Sequence, residues 1–402
     1  MILESTLENV VLTQKDKFEK KENLIQRELD INLQNKFAVI ISGVRRCGKS
    51  TLMDLIAKKI TKFNYINFED PRISEFQLAD FETLEKVFEK INGKSNHYFF
   101  DEIQLIDKWE FHVRRLLDEN KYLVITGSNA SLLSKELGTK LTGRNLRYEL
   151  FPFSYSEFLN YKKLKKGLIS FNEYLKKGGF PEFLLLEDAK ILRNLVSDSL
   201  IRDIATRHKI KNIKELTEIA IYLISNVGKE VSYTSLTKMF NLGSTNTTSK
   251  YISYLEDAYL LFTINKFDYS LKKQIVNPKK VYAIDTGVII HNSKTFTEDF
   301  GRLLENLVFI ELKRRGKEIF YFKEKNECDF VTREGTKITS AIQVCYELTE
   351  QNKEREINGL VEALEKFNLK EGVILTLNQE QEFVVDSKKV KLIPVWKWLL
   401  EQ

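Results

Sequence analysis

The sequence predicts an α/β protein: a helix-covered parallel sheet first, then a helical region, then a C-terminal α/β domain. Three observations carry this. Short apolar runs alternate with helix-patterned stretches over the first 154 residues, the pattern of strands joined by crossover helices. A glycine-containing stretch, GVRRCGKST at 43–51, lies between the first apolar run and an amphipathic segment. At LFPFSYSEF, 150–158, Pro152 and clustered aromatics interrupt both periodicities and mark an exit from the first domain.

The elements follow in order. Residues 1–36 read as polar helix, and FAVIIS (37–42) as the first buried strand. NYINFE (64–69), HYFFDE (97–102) and YLVITGS (122–128) supply further strands. From 155 to 225 the pattern is helical, broken at KKGGFPE, where Gly178, Gly179 and Pro181 force a turn. A short helix, a glycine-containing turn, a second helix and strands then resemble a winged helix, and NPKKVYAIDTGV continues as an extended segment and turn. The helix GRLLENLVFIELKRR leads to strands EIFYFKE, CDFVTRE and ITSAIQVCYE, a helix at 351–367 and the strand GVILTL. Three domains are therefore expected, at 1–154, 155–295 and 296–402.

Composition narrows the function classes. With 402 residues and 43% hydrophobic content, each domain can bury a core. No run approaches the ~18 consecutive apolar residues of a membrane span, and the N-terminus lacks a basic start followed by an apolar core. A cytoplasmic protein with no membrane partner is expected. Cys47, Cys328 and Cys345 are far apart with no CxxC spacing, so neither a disulfide framework nor a zinc site is suggested. The net charge of +6, from 63 basic and 57 acidic residues, permits nucleic-acid binding without arguing for it.

The chemistry centres on 43–51. Gly43, Gly48, Lys49 and Ser50 satisfy GxxxxGK[ST] between a strand and a helix, the context of a phosphate-binding loop. Glycines let successive backbone N–H groups turn onto phosphate oxygens, and the helix adds its positive end. Arg46, Cys47, Gly48, Lys49, Ser50 and Thr51 are the expected nucleotide contacts, with Lys49 reaching the β- and γ-phosphates of ATP and Ser50 on Mg²⁺. HYFFDE delivers Asp101 and Glu102 to a strand's C-terminal end, Asp101 for Mg²⁺ and Glu102 as the base that polarises water. Thr126, Ser128 and Asn129 reach the same edge, where one could hold water or sense the γ-phosphate. Arg144, beside Gly143, is either a charge-neutralising finger in its own or a neighbour's site, the latter implying a homo-oligomer, or a surface ion-pair partner. Arg45 and Arg46 could touch phosphate, or at least one of them is solvent-facing or structural.

These residues resemble the AAA-like P-loop ATPases of archaea and bacteria, close to the STAND branch of signal-transduction NTPases. GVRRCGKST, FFDEIQ, TGSN and LTGR carry the likeness, which continues through GGFPE, VYAIDTG and the C-terminal segment. It implies an ATPase domain, a winged-helix-like middle and a C-terminal domain with a restriction-endonuclease-like core. For a PD-(D/E)xK nuclease the matching positions are Glu305, Asp329 and Gln343, with Cys345 where the lysine belongs. Glutamine's amide oxygen can still take a cation weakly, but cysteine lacks lysine's charge, so the frame is kept and the chemistry damaged. Glu327 or Glu347 could supply another carboxylate, or be solvated.

In the middle region Ser244 to Thr247 suit helix capping and phosphate contact, with Lys250 and Tyr251 on the following helix, in a module that meets either DNA or only protein. Lys266, Lys272, Lys273, Lys279 and Lys280 form either a DNA-facing or a merely solvated basic stretch. The leading expectation is an Mg²⁺-ATPase, cycling between ATP and ADP, that controls a winged-helix and nuclease-like module on DNA. The alternatives are a signalling or defence switch acting through protein partners, and an ATP-dependent nuclease.

Overall fold

A computed structural model describes residues 2–20, 24–128, 143–294 and 299–401. The chain divides into two compact units, 1–150 and 151–402. The boundary expected at 295/296 falls inside the second.

In the first unit, α1 (Glu4–Glu19) precedes β1 (Ala38–Ser42), α2 (Lys49–Ala57), β2 (Asn64–Asn67), α3 (Phe81–Asn92), β3 (His97–Asp101), α4 (Trp109–Asp118), β4 (Tyr122–Gly127) and β5 (Asn145–Glu149). The helix expected over 1–36 ends at Glu19, and residues 24–36 are non-helical. Among the described residues these strands form a parallel sheet in the order β2-β3-β4-β1-β5. Strand alternation puts Ala38, Ile40, Tyr98, Phe100, Leu123 and Ile125 into one core cluster. It also takes in Leu7 and Val10 of α1, Leu84 and Phe88 of α3, and Val113 and Leu117 of α4. All five β1 residues are buried, as befits a strand flanked on both sides by β4 and β5, and it ends at the glycine-containing loop.

The second unit opens with α5 (Tyr155–Lys162), started by a capping box between Ser154 and Glu157. Next come α6 (Leu168–Lys177), α7 (Pro181–Leu186), α8 (Ala189–Asp198), a π-helical continuation over Ser199–Thr206, and α9 (Ile213–Ser225). β6 (Glu230–Val231), α10 (Tyr233–Met239), α11 (Thr245–Asp257), β7 (Leu261–Lys266), α12 (Leu271–Val276), β8 (Lys279–Ala283) and α13 (Thr286–Asn292) follow. The chain ends with α14 (Phe300–Arg314), β9 (Glu318–Lys323), β10 (Glu327–Glu334), β11 (Lys337–Val344), α15 (Lys353–Lys366), β12 (Glu371–Thr376), β13 (Gln381–Val385), β14 (Lys388–Pro394) and α16 (Val395–Trp398). One mixed sheet, β13-β14-β12-β11-β10-β9-β7-β8-β6, crosses the expected boundary, because β7 pairs with β9 in parallel at Asn265↔Phe320.

GGFPE and DTG meet inside this unit. Gly178 ends α6 at φ 71°, and a Cβ there would lie 2.1 Å from Asp285 Oδ1. The Gly179 N–H donates to Asp285 Oδ2 at 2.7 Å, and Asp285 also caps α13 through the Val288 N–H. Burial pushes the Asp285 carboxyl up to about 6, against the pull of these backbone donors. The two motifs form a clasp between helices.

Candidate nucleotide site

Parallel pairing sets the C-terminal ends of β1, β3 and β4 side by side, and the site residues arrive there. Gly43 leaves β1 where a Cβ would fall 2.2 Å from the Leu150 carbonyl oxygen. Arg46 and Gly48 take φ values of 62° and 102°, and α2 starts at Lys49. The loop therefore curls back on itself before the helix begins.

Lys49 is buried, and its Nζ donates to the carbonyls of Gly43 (3.0 Å) and Val44 (3.2 Å) while lying 3.5 Å from Glu102 Oε1. Burial opposes its charge, but Glu102, Cys47 and Asp101 carry the ammonium's pKa above the ordinary lysine value. Glu102 sits in the left-handed region at φ 53°, its N–H donating to Thr126 Oγ1 at 3.0 Å. Burial alone would raise its pKa; Lys49 and the Gln104 amide outweigh that and hold it below the usual value. The carboxylate is thus charged near neutral pH.

Asp101 is fully buried. Thr126 donates to its Oδ1, while Tyr65 (3.2 Å) and Asn67 (3.3 Å) donate to Oδ2. Desolvation and then Glu102 raise its pKa, and the Ser50 hydroxyl, hydrogen-bonded to it, pulls the other way. Ser50 and Asp101 form an all-oxygen donor pair beside Lys49 and Glu102. That set fits Mg²⁺, which is held by one or two protein oxygens together with substrate phosphates. Among the described residues no group of three or more His, Cys, Asp or Glu is arranged to hold a metal.

The structure brings Gly43, Arg46, Cys47, Gly48, Lys49, Ser50, Thr51, Asp101, Glu102, Thr126 and Ser128 to one sheet edge. Arg45 pairs with Glu69 at 3.0 Å, and Arg46 is exposed. Asn129 lies outside the described residues. Arg144 does not join the site of its own chain. It precedes β5, which pairs with β1 from Ala38↔Asn145, so it stands at the opposite end of the strands from the loop. There it binds Asp118 at 2.6 Å and the Lys36 carbonyl. Sequence reasoning did not single out Arg27, whose buried guanidinium donates to the Cys47 carbonyl at 3.0 Å; a basic residue ahead of the first strand was its only signal.

The second unit has a pocket of about 640 Å³ lined by Lys280, Glu305, Glu327, Asp329, Gln343 and Cys345, with Arg302, Lys323, Lys325 and Arg355 among its other walls. Glu305, Asp329 and Gln343 do converge, but each is already engaged by protein partners. Lys280 Nζ lies 3.1 Å from Glu305, 2.7 Å from Glu327 and 2.8 Å from Asp329. Gln343 Oε1, expected as a weak cation ligand, instead accepts the Asp329 N–H at 3.1 Å, and its Nε2 donates to Glu356. Lys280 leaves the basic stretch as well, being 2% exposed, whereas Lys272 and Lys273 are solvent-facing. Tyr251 is buried, while Lys250 is exposed.

The first unit is thus a parallel-sheet P-loop NTPase fold carrying a nucleotide-binding loop. Residues 35–159 match the AAA domain model, 168–299 a domain of unknown function (DUF8612) and 300–398 another (DUF4143). The uncharacterized protein MJ1544 of Methanocaldococcus jannaschii is 40% identical over 95% of this chain and 92% of its own length. An uncharacterized protein of Haemophilus influenzae is 30% identical over 95% and 98%. The chain belongs to the family of these two proteins. Solved structures it matches include AMPPCP-bound DnaA from Aquifex aeolicus (17% identity, TM-score 0.29, 64% of this chain and 89% of that one) and RuvB from Thermotoga maritima (17%, 0.28, 63% and 88%). Among the described residues no helix is long and apolar enough to cross a membrane.

Proposed function

We propose that the protein is a cytoplasmic Mg²⁺-dependent ATPase whose nucleotide state controls a DNA-binding, nuclease-like second unit. The observation that carries the ATPase part is the meeting of Lys49, Glu102, Asp101 and Ser50 at one strand edge. Lys49 and the loop N–H groups bind the phosphates. Ser50 and Asp101 would hold Mg²⁺, which when bound neutralises phosphate charge. Glu102, charged and buried, accepts the proton of the attacking water as the new oxygen–phosphorus bond forms and ADP leaves with its bridging oxygen. Gln104 and Lys49, which hold Glu102 here, keep that base engaged until nucleotide arrives.

DNA binding rests on the order helix, strand, helix, helix, strand, strand over α9, β6, α10, α11, β7 and β8, with β6, β8 and β7 paired antiparallel. This supports a winged helix. Ser244 caps α11 through the Thr247 N–H, leaving exposed Thr245, Asn246 and Lys250 for phosphate contact. The pocket is read as a retained nuclease frame without cleavage, because Cys345 stands where the lysine belongs and Lys280 bridges Glu305, Glu327 and Asp329 instead.

Phosphate release from ATP tests the ATPase reading. The wild-type chain is expected to turn over only with Mg²⁺, and Lys49→Ala to release none. Equal rates in the two proteins would end the reading.

A further inference from the structure

Arg27 lies outside both the phosphate-loop motif and the matched AAA segment, which starts at residue 35. It is nevertheless buried against the loop. Its Nη1 donates to the Cys47 carbonyl at 3.0 Å, and a Cβ placed on Gly48 would stand 3.3 Å from the same nitrogen. In a trans peptide the C=O and N–H point opposite ways. Holding the Cys47 oxygen toward Arg27 therefore turns the Gly48 N–H away from the guanidinium. Glycine gives this peptide little intrinsic preference, since Gly48 at φ 102° has no side chain to resist a flip. A charge-assisted hydrogen bond supplies the missing restraint. The charge also reaches the loop's interior: burial raises the Cys47 thiol's pKa, and Lys49 and Arg27 both oppose that rise.

We propose that Arg27 is a positioning residue for the bound nucleotide, fixing the Cys47–Gly48 peptide with its N–H toward the phosphates and placing a positive charge behind them. The inference rests on the nucleotide-binding reading of the loop. A residue acting on the loop itself serves ATP and ADP alike, whereas one sensing the γ-phosphate serves ATP alone.

The test is titration of the full-length chain with fluorescent ATP and ADP analogues in Mg²⁺, comparing wild type, Arg27→Gln and Arg27→Lys, with melting and steady-state hydrolysis measured alongside. Arg27→Gln is expected to weaken ATP and ADP by similar factors, about tenfold or more, as for a lost charged hydrogen bond. KM should rise while kcat at saturating ATP stays within about twofold, the mark of an interaction made equally in ground and transition states. Arg27→Lys, which keeps the charge but not the fork, should fall between. Wild-type affinity for both nucleotides in Arg27→Gln would overturn the inference, even with a lowered melting temperature, and so would a loss confined to ATP. If Arg27→Gln does not fold, wild-type affinity in Arg27→Lys overturns it instead. No nucleotide binding by the wild type would overturn the underlying reading.

Discussion

At position 43 the Leu150 carbonyl leaves room for a hydrogen atom and nothing larger, since a Cβ would come within 2.2 Å of that oxygen. Gly43→Ala must push the loop away from the chain leaving β5, or push that chain away. Nucleotide affinity is expected to fall at least about tenfold and the melting temperature to drop, the large effect seen when a special backbone site is filled. An alanine variant that binds ATP like the wild type would show that the close approach has no consequence. The glycine itself was legible from GxxxxGK[ST]; its neighbour was not, because Leu150 lies in a region read as a domain exit. Gly48, Lys49, Ser50, Asp101 and Glu102 could be read because motif and strand end place them. Arg27 could not, its partner being a backbone oxygen 20 positions on. Lys280 was read with its lysine-rich surroundings, yet two of its carboxylate partners come 25 and 49 residues later.

Helix α4 packs His112 against α3, stacked on Phe81 with ring centroids 3.8 Å apart. Burial, with Arg115 beside it, pushes the imidazole down to about 3. Glu85, 3.6 Å away, could favour a charged ring but is itself held by Arg115. The folded value lies below the unfolded one near 6.5. The contribution to stability is therefore complete above that pH and is lost as pH falls toward the folded value. Between pH 6.5 and 5 the wild type should lose about 2 kcal/mol from this residue, at about 1.4 kcal/mol per pH unit. Thermal melts of wild type and His112→Phe at the two pH values check this: the variant should lose less, and parallel losses would contradict it. Elements with apolar runs, β1 to β4, could be read directly. β5 could not, because NLRYE is an edge strand with polar side chains and partial exposure. β13 and β14 were missed likewise, since QEFVV is largely exposed and its pairing with KKVKLIP is tertiary.

Over the whole molecule, the change at 150–158 was legible because composition and periodicity shift together there. The sheet joining β7 to β9 was not, since strand pairing across about 50 residues leaves no local pattern. Under the proposed function the first unit is an ATPase and the second a DNA-binding body under its control. Both halves enter one measurement: Mg²⁺-ATP hydrolysis by wild type and Glu102→Gln, with and without duplex DNA, at low and high salt. Removing the base should slow hydrolysis roughly 100-fold or more. Duplex should accelerate the wild type at low salt, and the acceleration should fade as salt rises, as phosphate contacts require. A Glu102→Gln rate equal to wild type, or a wild-type rate indifferent to DNA at both salts, would contradict the account.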